Sequence, residues 1–228
     1  MNAGAEFSLV PKLMLVLYHR YEYGAQPIDL SGHDNHGRIV RKSQSASAEE
    51  LGAAAGHGLR FDGATTRVVV PPSPSLESLG AVRIDARLRL EAGGHRRTIV
   101  EGFLAFSFFI ESDGKLGGTI YTGHDWYGAY STASVVPIDH PIDVSFLFDG
   151  LTSILEVDRR VVAAAEWPIG PASGVAWPFG LNIGAWPDAD RRMFQGVMYE
   201  LKIWRARSQE SGPLLSERRA QRVDNPCA

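Results

Sequence analysis

The sequence predicts an all-β chain folded as a two-sheet antiparallel β-sandwich of the jelly-roll kind. Three observations lead there. Residues 82–90 alternate apolar and polar side chains without a break, and residues 142–148 and 197–204 largely repeat the pattern. Turn-forming pairs such as Asp62-Gly63, Gly93-Gly94, Asp113-Gly114 and Asp149-Gly150 stand between or beside the apolar runs. Asp-Gly tolerates positive φ and so closes hairpins. No long stretch carries helical periodicity, and many short strands without helices read as a sandwich.

The elements follow in order. Leu13-Met14-Leu15-Val16-Leu17, within residues 12–18, is too short to span a bilayer and reads as a buried strand. Further strands are expected at 67–70, 98–101, 103–111, 116–121, 153–157, 160–164 and 180–183. Side chains on a strand alternate faces, so Val82, Ile84, Ala86, Leu88 and Leu90 face a core while Arg83, Asp85, Arg87 and Arg89 face water. By the same rule Ile142, Val144, Phe146 and Phe148 point inward, as do Val197, Tyr199, Leu201 and Ile203. Residues 43–58 are rich in Ser, Ala and Gly and read as a loop. One sandwich is expected over residues 7–205, with 206–228 a polar tail that forms a short helix or stays disordered.

Composition narrows the function classes. A chain of 228 residues with 44% hydrophobic and 21% charged residues can bury a core without disulfides. A net charge of −3 gives no basic footprint for nucleic acid, and the Arg clusters mostly have acids nearby. The single cysteine, Cys227, rules out an intrachain disulfide and a zinc site of several thiolates. The start lacks a signal-peptide pattern, so the expectation is no membrane insertion, and a protein that is cytoplasmic or exported by a non-classical route.

Three stretches carry a resemblance. They are Asp29-Leu30-Ser31-Gly32-His33-Asp34-Asn35-His36-Gly37; Leu59-Arg60-Phe61-Asp62-Gly63 followed by Arg67-Val68-Val69-Val70-Pro71; and Leu181-Asn182-Ile183-Gly184 followed by residues 194–204. Their order and spacing resemble the concanavalin A-like lectin/glucanase superfamily, in its laminin-G-like, pentraxin-like branch. The resemblance implies a concanavalin A-like sandwich and leaves function open, because that fold hosts lectins, hydrolases and structural modules. The family's hairpin ending in Val-Asp-Gly has a counterpart at Val157-Asp158, where Arg159 replaces the glycine and puts the tight turn in doubt.

Some domains with this look hold a structural calcium ion, which takes six to eight oxygen ligands. Asp29, Asn35, Asp62 and Glu200 are the donors here if their loops converge; the alternative is turn chemistry, with Asx side chains bonding nearby amides. Retaining glucanases of the superfamily need a Glu-x-Asp-x-x-Glu arrangement. Glu156-Val157-Asp158 begins it, but Val161 stands where the acid belongs, so no catalytic residue is assigned and no enzyme activity is expected.

The rings are the recognition candidates. Residues 121–130 are dense in aromatic, carboxylate and imidazole groups, and their glycines read as loop. Sugars stack on aromatic faces while polar groups bond their hydroxyls. The expected ligand site is therefore His124, Asp125, Trp126, Tyr127 and Tyr130, joined by Trp186 of the Trp-Pro set Trp167-Pro168, Trp177-Pro178 and Trp186-Pro187. The competing reading is that these rings cap the core. The leading function is non-catalytic, lectin-like carbohydrate binding. The alternative is a structural or protein-interaction module in an oligomer or larger assembly, such as a phage particle, secretion apparatus or protein shell.

Overall fold

A computed structural model describes residues 13–22, 26–41, 58–76, 81–166, 180–187 and 192–206. Its strands, numbered β1 to β14 along the chain, form two antiparallel sheets of seven strands each. The first runs β1 (Met14–Arg20), β14 (Gln195–Ala206), β5 (Ala81–Leu90), β10 (Pro141–Phe148), β11 (Thr152–Val157) and β12 (Arg160–Glu166), with β3 (Leu59–Asp62) also paired to β14. The second runs β2 (Arg38–Arg41), β4 (Thr66–Val70), β13 (Leu181–Ile183), β6 (Arg97–Gly102), β7 (Phe106–Ile110), β8 (Leu116–Tyr121) and β9 (Trp126–Tyr130).

The alternation in β5 and β10 does what it predicts. Ile84, Ala86, Leu88, Val144 and Phe146 are buried, and in-register pairing sets Val144 against Ala86 and Phe146 against Ile84. Val68, Val70, Val100, Phe106, Phe108, Ile120 and Ile183 cover them from the second sheet. Each such side chain contributes about 1.5–3 kcal/mol when fully buried. The two layers touch where the Phe108 and Phe146 rings stack at 6.0 Å. Gly118 makes room for that stack, because a Cβ there would lie 2.4 Å from the Phe146 ring.

Several expectations are corrected. Tyr199, assigned inward, is only half-buried: a register shift between Met198 and Glu200 moves the phase, and Met198 takes the core position opposite Leu88. The strand expected at 103–111 starts at Phe106, because Leu104 has φ 56° and the Ala105 amide turns back to the Gly102 carbonyl at 2.8 Å. Residues 126–130, read as loop, are β9; β2 and β3 were not singled out as strands. The turn that Arg159 put in doubt survives, since Asp158 and Arg159 both take positive φ, 47° and 65°, and Val157 pairs with Arg160. Ala206, expected in the tail, closes β14. Residues 43–57 and 207–228 lie outside the described residues.

Candidate functional site

The residues considered for calcium do not converge. Asp29 and Asn35 meet in one turn, but there the Asp29 carboxylate accepts from the amides of Tyr18, Ser31 and Asn35 and from the Ser31 hydroxyl. Burial works to raise its pKa, yet these bonds outweigh it and hold it below the usual carboxylate range. Asp62 accepts from the amides of Ala64, Thr65 and Thr66 and from the Thr65 hydroxyl, with the same net effect. Glu200 pairs with Lys202. Among the described residues no group of three or more His, Cys, Asp or Glu side chains is placed to hold a metal ion. Turn chemistry accounts for Asp29 and Asp62.

The ring-rich segment forms the β8–β9 hairpin. Its turn is closed by the Thr122 amide donating to the Asp125 carbonyl at 3.0 Å, with Gly123 at φ 95°. His124 and Asp125 sit exposed at that tip. Trp126 pairs with Tyr121 and faces away from the first sheet, their ring centroids 5.2 Å apart. Tyr127, one residue on, faces the opposite way, opposite the core residue Ile120. Trp126 and Tyr127 therefore do not share a face, because the segment is a strand and neighbours on a strand alternate. Tyr130 is outward, 48% exposed, and packs on Phe109 at 5.8 Å. Arg96 lies 4.1 Å over the Phe109 ring and makes a two-pronged pair with Glu111. Trp186 meets Trp126 at 6.1 Å and carries the Arg192 guanidinium 4.6 Å over its ring. Trp167 and Trp177 lie outside the described residues.

A polar row crosses the outer face between these rings. The registers place Asn182, Glu101, Ser107, Thr119 and Gly128 side by side across β13, β6, β7, β8 and β9. Trp126 stands on β9 and Trp186 follows β13, the two strands that end this row, and their rings are in contact. Glu101, Ser107 and Thr119 are buried, Glu101 completely. Neither carboxyl oxygen of Glu101 has a partner in good hydrogen-bond geometry, although the Ser107 hydroxyl opposite is near enough to act on it. Burial pushes its pKa well above the usual range; Ser107 and the charges of Arg192 and Arg96 pull the other way without prevailing. Sequence reasoning missed Glu101. The signal available was a lone acid at the end of the apolar run Ile99-Val100.

No protein-family model matches the chain, and no curated protein matches it by sequence. Solved structures do match it in fold. Domain 4 of AbnA, an extracellular GH43 arabinanase from Geobacillus stearothermophilus solved in complex with arabinotriose, superposes with a TM-score of 0.62 at 13% identity, covering 88% of this chain and 97% of that one. A botulinum neurotoxin type C structure, described for cell entry through two ganglioside molecules, gives 0.60 at 11% identity over 90% of this chain. This chain spans about half of that one, 51%. The CBM40 domain of the Ruminococcus gnavus IT-sialidase, bound to α2,3-sialyllactose, gives 0.53 at 12% identity, covering 66% of this chain and 90% of that one. These neighbours confirm the β-sandwich.

The outer face of the first sheet is different in kind. A groove of about 310 Å³ there is lined by Arg83, Asp85, Arg87, Asp143, Glu200 and Lys202 among others. Apart from Arg159, its charges are matched: Arg83 pairs with Asp85 at 2.9 Å and Glu156 at 3.2 Å, Arg87 with Asp143 at 3.4 Å, and Lys202 with Glu200. Such a ladder keeps a sheet face solvated and asks for no ligand.

Proposed function

We propose that this chain is a non-catalytic carbohydrate-binding module, with its site on the outer face of the second sheet. The observation that carries the reading is the contact of Trp126 with Trp186 and Tyr121 on the sheet face that also carries a buried polar row. Trp126 is 36% and Tyr130 48% exposed, so each offers a ring face to a sugar while its partner ring holds it in place. His124 and Asp125, at the adjoining tip, supply groups for hydroxyls. The solved neighbours in complex with arabinotriose and sialyllactose support the same class of ligand. Hydrolysis is not part of the proposal: Glu156 is engaged by Arg83, Asp158 forms a turn, and Val161 stands where a second acid would.

Titration of intrinsic Trp fluorescence with a panel of oligosaccharides tests the proposal. A saturable response that Trp126→Ala abolishes is expected. Silence across the panel, or an unchanged affinity in Trp126→Ala, sinks it.

A protein-interaction role is the second reading, favoured by the strand that ends the first sheet. On β12, Val161 is 61% exposed, and an edge that pairs with no further strand among the described residues can accept one. A stable oligomer by light scattering, with no glycan response, favours this reading over the first.

A further inference from the structure

Three buried oxygens on the outer face of β6 have no partner in good hydrogen-bond geometry: Thr98 Oγ1 and both carboxyl oxygens of Glu101. Both residues are fully buried. Residues three apart on a regular strand face opposite ways; the register shift between Thr98 and Val100 brings these two to the same face. Thr98 opposes Phe109, whose ring lies under Arg96, and Glu101 opposes Ser107 within the polar row between β13 and β9. An unpartnered buried polar group costs about 1–3 kcal/mol. Three such atoms on one face of β6, with Glu101 close enough to feel the charge of the Arg192 that caps Trp186, mark a place where a bound molecule supplies the missing partners.

We infer that Thr98 and Glu101 are the floor of the aromatic site, and that their unmatched oxygens bond hydroxyls of an uncharged sugar admitted when the Trp126–Trp186 contact parts. The inference rests on the carbohydrate-binding reading and adds the chemistry that selects the ligand. Burial favours the acid form of Glu101, which offers one O–H donor together with acceptor lone pairs. The Thr98 hydroxyl offers the same combination, and a sugar hydroxyl matches either in either direction. A ligand ammonium would add a third positive charge beside Arg192 and Arg96, and would find no anion in the acid form of Glu101. A ligand carboxylate would have to leave water for at most the two O–H donors of the floor, and could donate nothing to their lone pairs.

Calorimetric titration of the intact chain with neutral trisaccharides led by arabinotriose, with sialyllactose and with a chitosan trimer tests this, using the parent, Glu101→Gln, Glu101→Leu and Trp126→Ala. Arabinotriose or another neutral trisaccharide is expected to bind, and the two charged sugars are not. Glu101→Gln keeps a donor and an acceptor and should hold affinity within about threefold. Glu101→Leu should lose about tenfold or more in affinity while melting higher than the parent, since it removes an orphaned buried group. A purely structural Glu101 would leave affinity alone.

Unchanged neutral-sugar affinity in Glu101→Leu overturns the inference. If Trp126→Ala still abolishes binding in that case, the aromatic site stands and only its floor falls. If Trp126→Ala is also silent, or no sugar binds, the carbohydrate reading falls with it. Binding of a charged sugar that Glu101→Gln abolishes overturns the uncharged assignment. Should Glu101→Leu fail to fold, infrared difference spectra of the parent against Glu101→Gln decide. A carboxylic C=O band that shifts on sugar addition supports the floor, and one that stays fixed refutes it.

Discussion

The Arg205 guanidinium of β14 donates to the backbone carbonyl of Ser75, 130 residues earlier in the chain, and to that of Pro74 at 3.3 Å. The side chain is 1% exposed, so these bonds are made away from water. They tie the strand paired with β1, β3 and β5 to the 3-10 turn Pro74–Leu76, whose Leu76 is fully buried.

Arg205→Ala should therefore destabilise the fold by about 2–3 kcal/mol, since it strands buried carbonyls and leaves a void. Arg205→Lys should recover only part of that, because an ammonium lacks the planar fork that reaches two carbonyls. Urea unfolding of the three proteins measures both effects.

Asp158 and Arg159 hold a tight hairpin in left-handed backbone, a conformation that costs a non-glycine residue roughly 1–2 kcal/mol. Arg159→Gly should stabilise the chain by roughly 0.5–1 kcal/mol after the extra freedom of the unfolded glycine is subtracted. A fall in the denaturation midpoint would contradict the turn.

His19 is fully buried in β1; its Nε2 donates to the Asn35 carbonyl at 2.9 Å and its Nδ1 faces the Tyr21 hydroxyl at 3.4 Å. Burial pushes its pKa down, against the Asn35 bond and the Asp29 charge. The unfolded chain thus takes up the proton first. Stability is full above the ordinary histidine value of 6.5 and is lost as pH falls from there toward the folded pKa. Melting temperature followed from about pH 7 to about pH 5 should drop in the parent, and His19→Gln should flatten that part of the curve. An equal slope in both would reassign the effect.

Gly128 of β9 has no room for a side chain: a Cβ there would lie 1.9 Å from the Gly118 carbonyl oxygen and 2.6 Å from the Thr119 Cα. Backbone cannot yield as a flexible side chain can. Gly128→Ala should displace β9, costing about 1–3 kcal/mol and altering the fluorescence of the neighbouring Trp126. Near-ultraviolet circular dichroism and tryptophan emission check this, and an unperturbed spectrum would count against the hairpin packing.

What could be read in advance divides along physical lines. β5 and β10 were legible because one face meets a core and the other meets water, and only a strand sorts Arg83, Asp85 and Arg87 from Ile84, Ala86 and Leu88. β9 was not, because Gly123 and Gly128 imitate a loop, whereas Gly128 is there for lack of space against β8. Once residues 126–130 are a strand, Trp126 and Tyr127 must separate, so ring density located the region and not the face. The floor at Thr98 and Glu101 depends on the register shift at Ile99, which the sequence does not announce. At Asp29 and Asp62 the oxygen-rich composition suited an ion and a turn equally, and the amides nearby took the lone pairs.

β14 occupies an interior place in its sheet, hydrogen-bonded to β1, β3 and β5, yet it contains residues 195–206. During vectorial synthesis, β1 and β3 leave the ribosome long before the ribbon that must lie between them and β5 exists. The first layer cannot be assembled stepwise from its amino end. It waits for a late insertion, and nascent chains arrested before residue 195 should remain open to protease while full-length chains resist it.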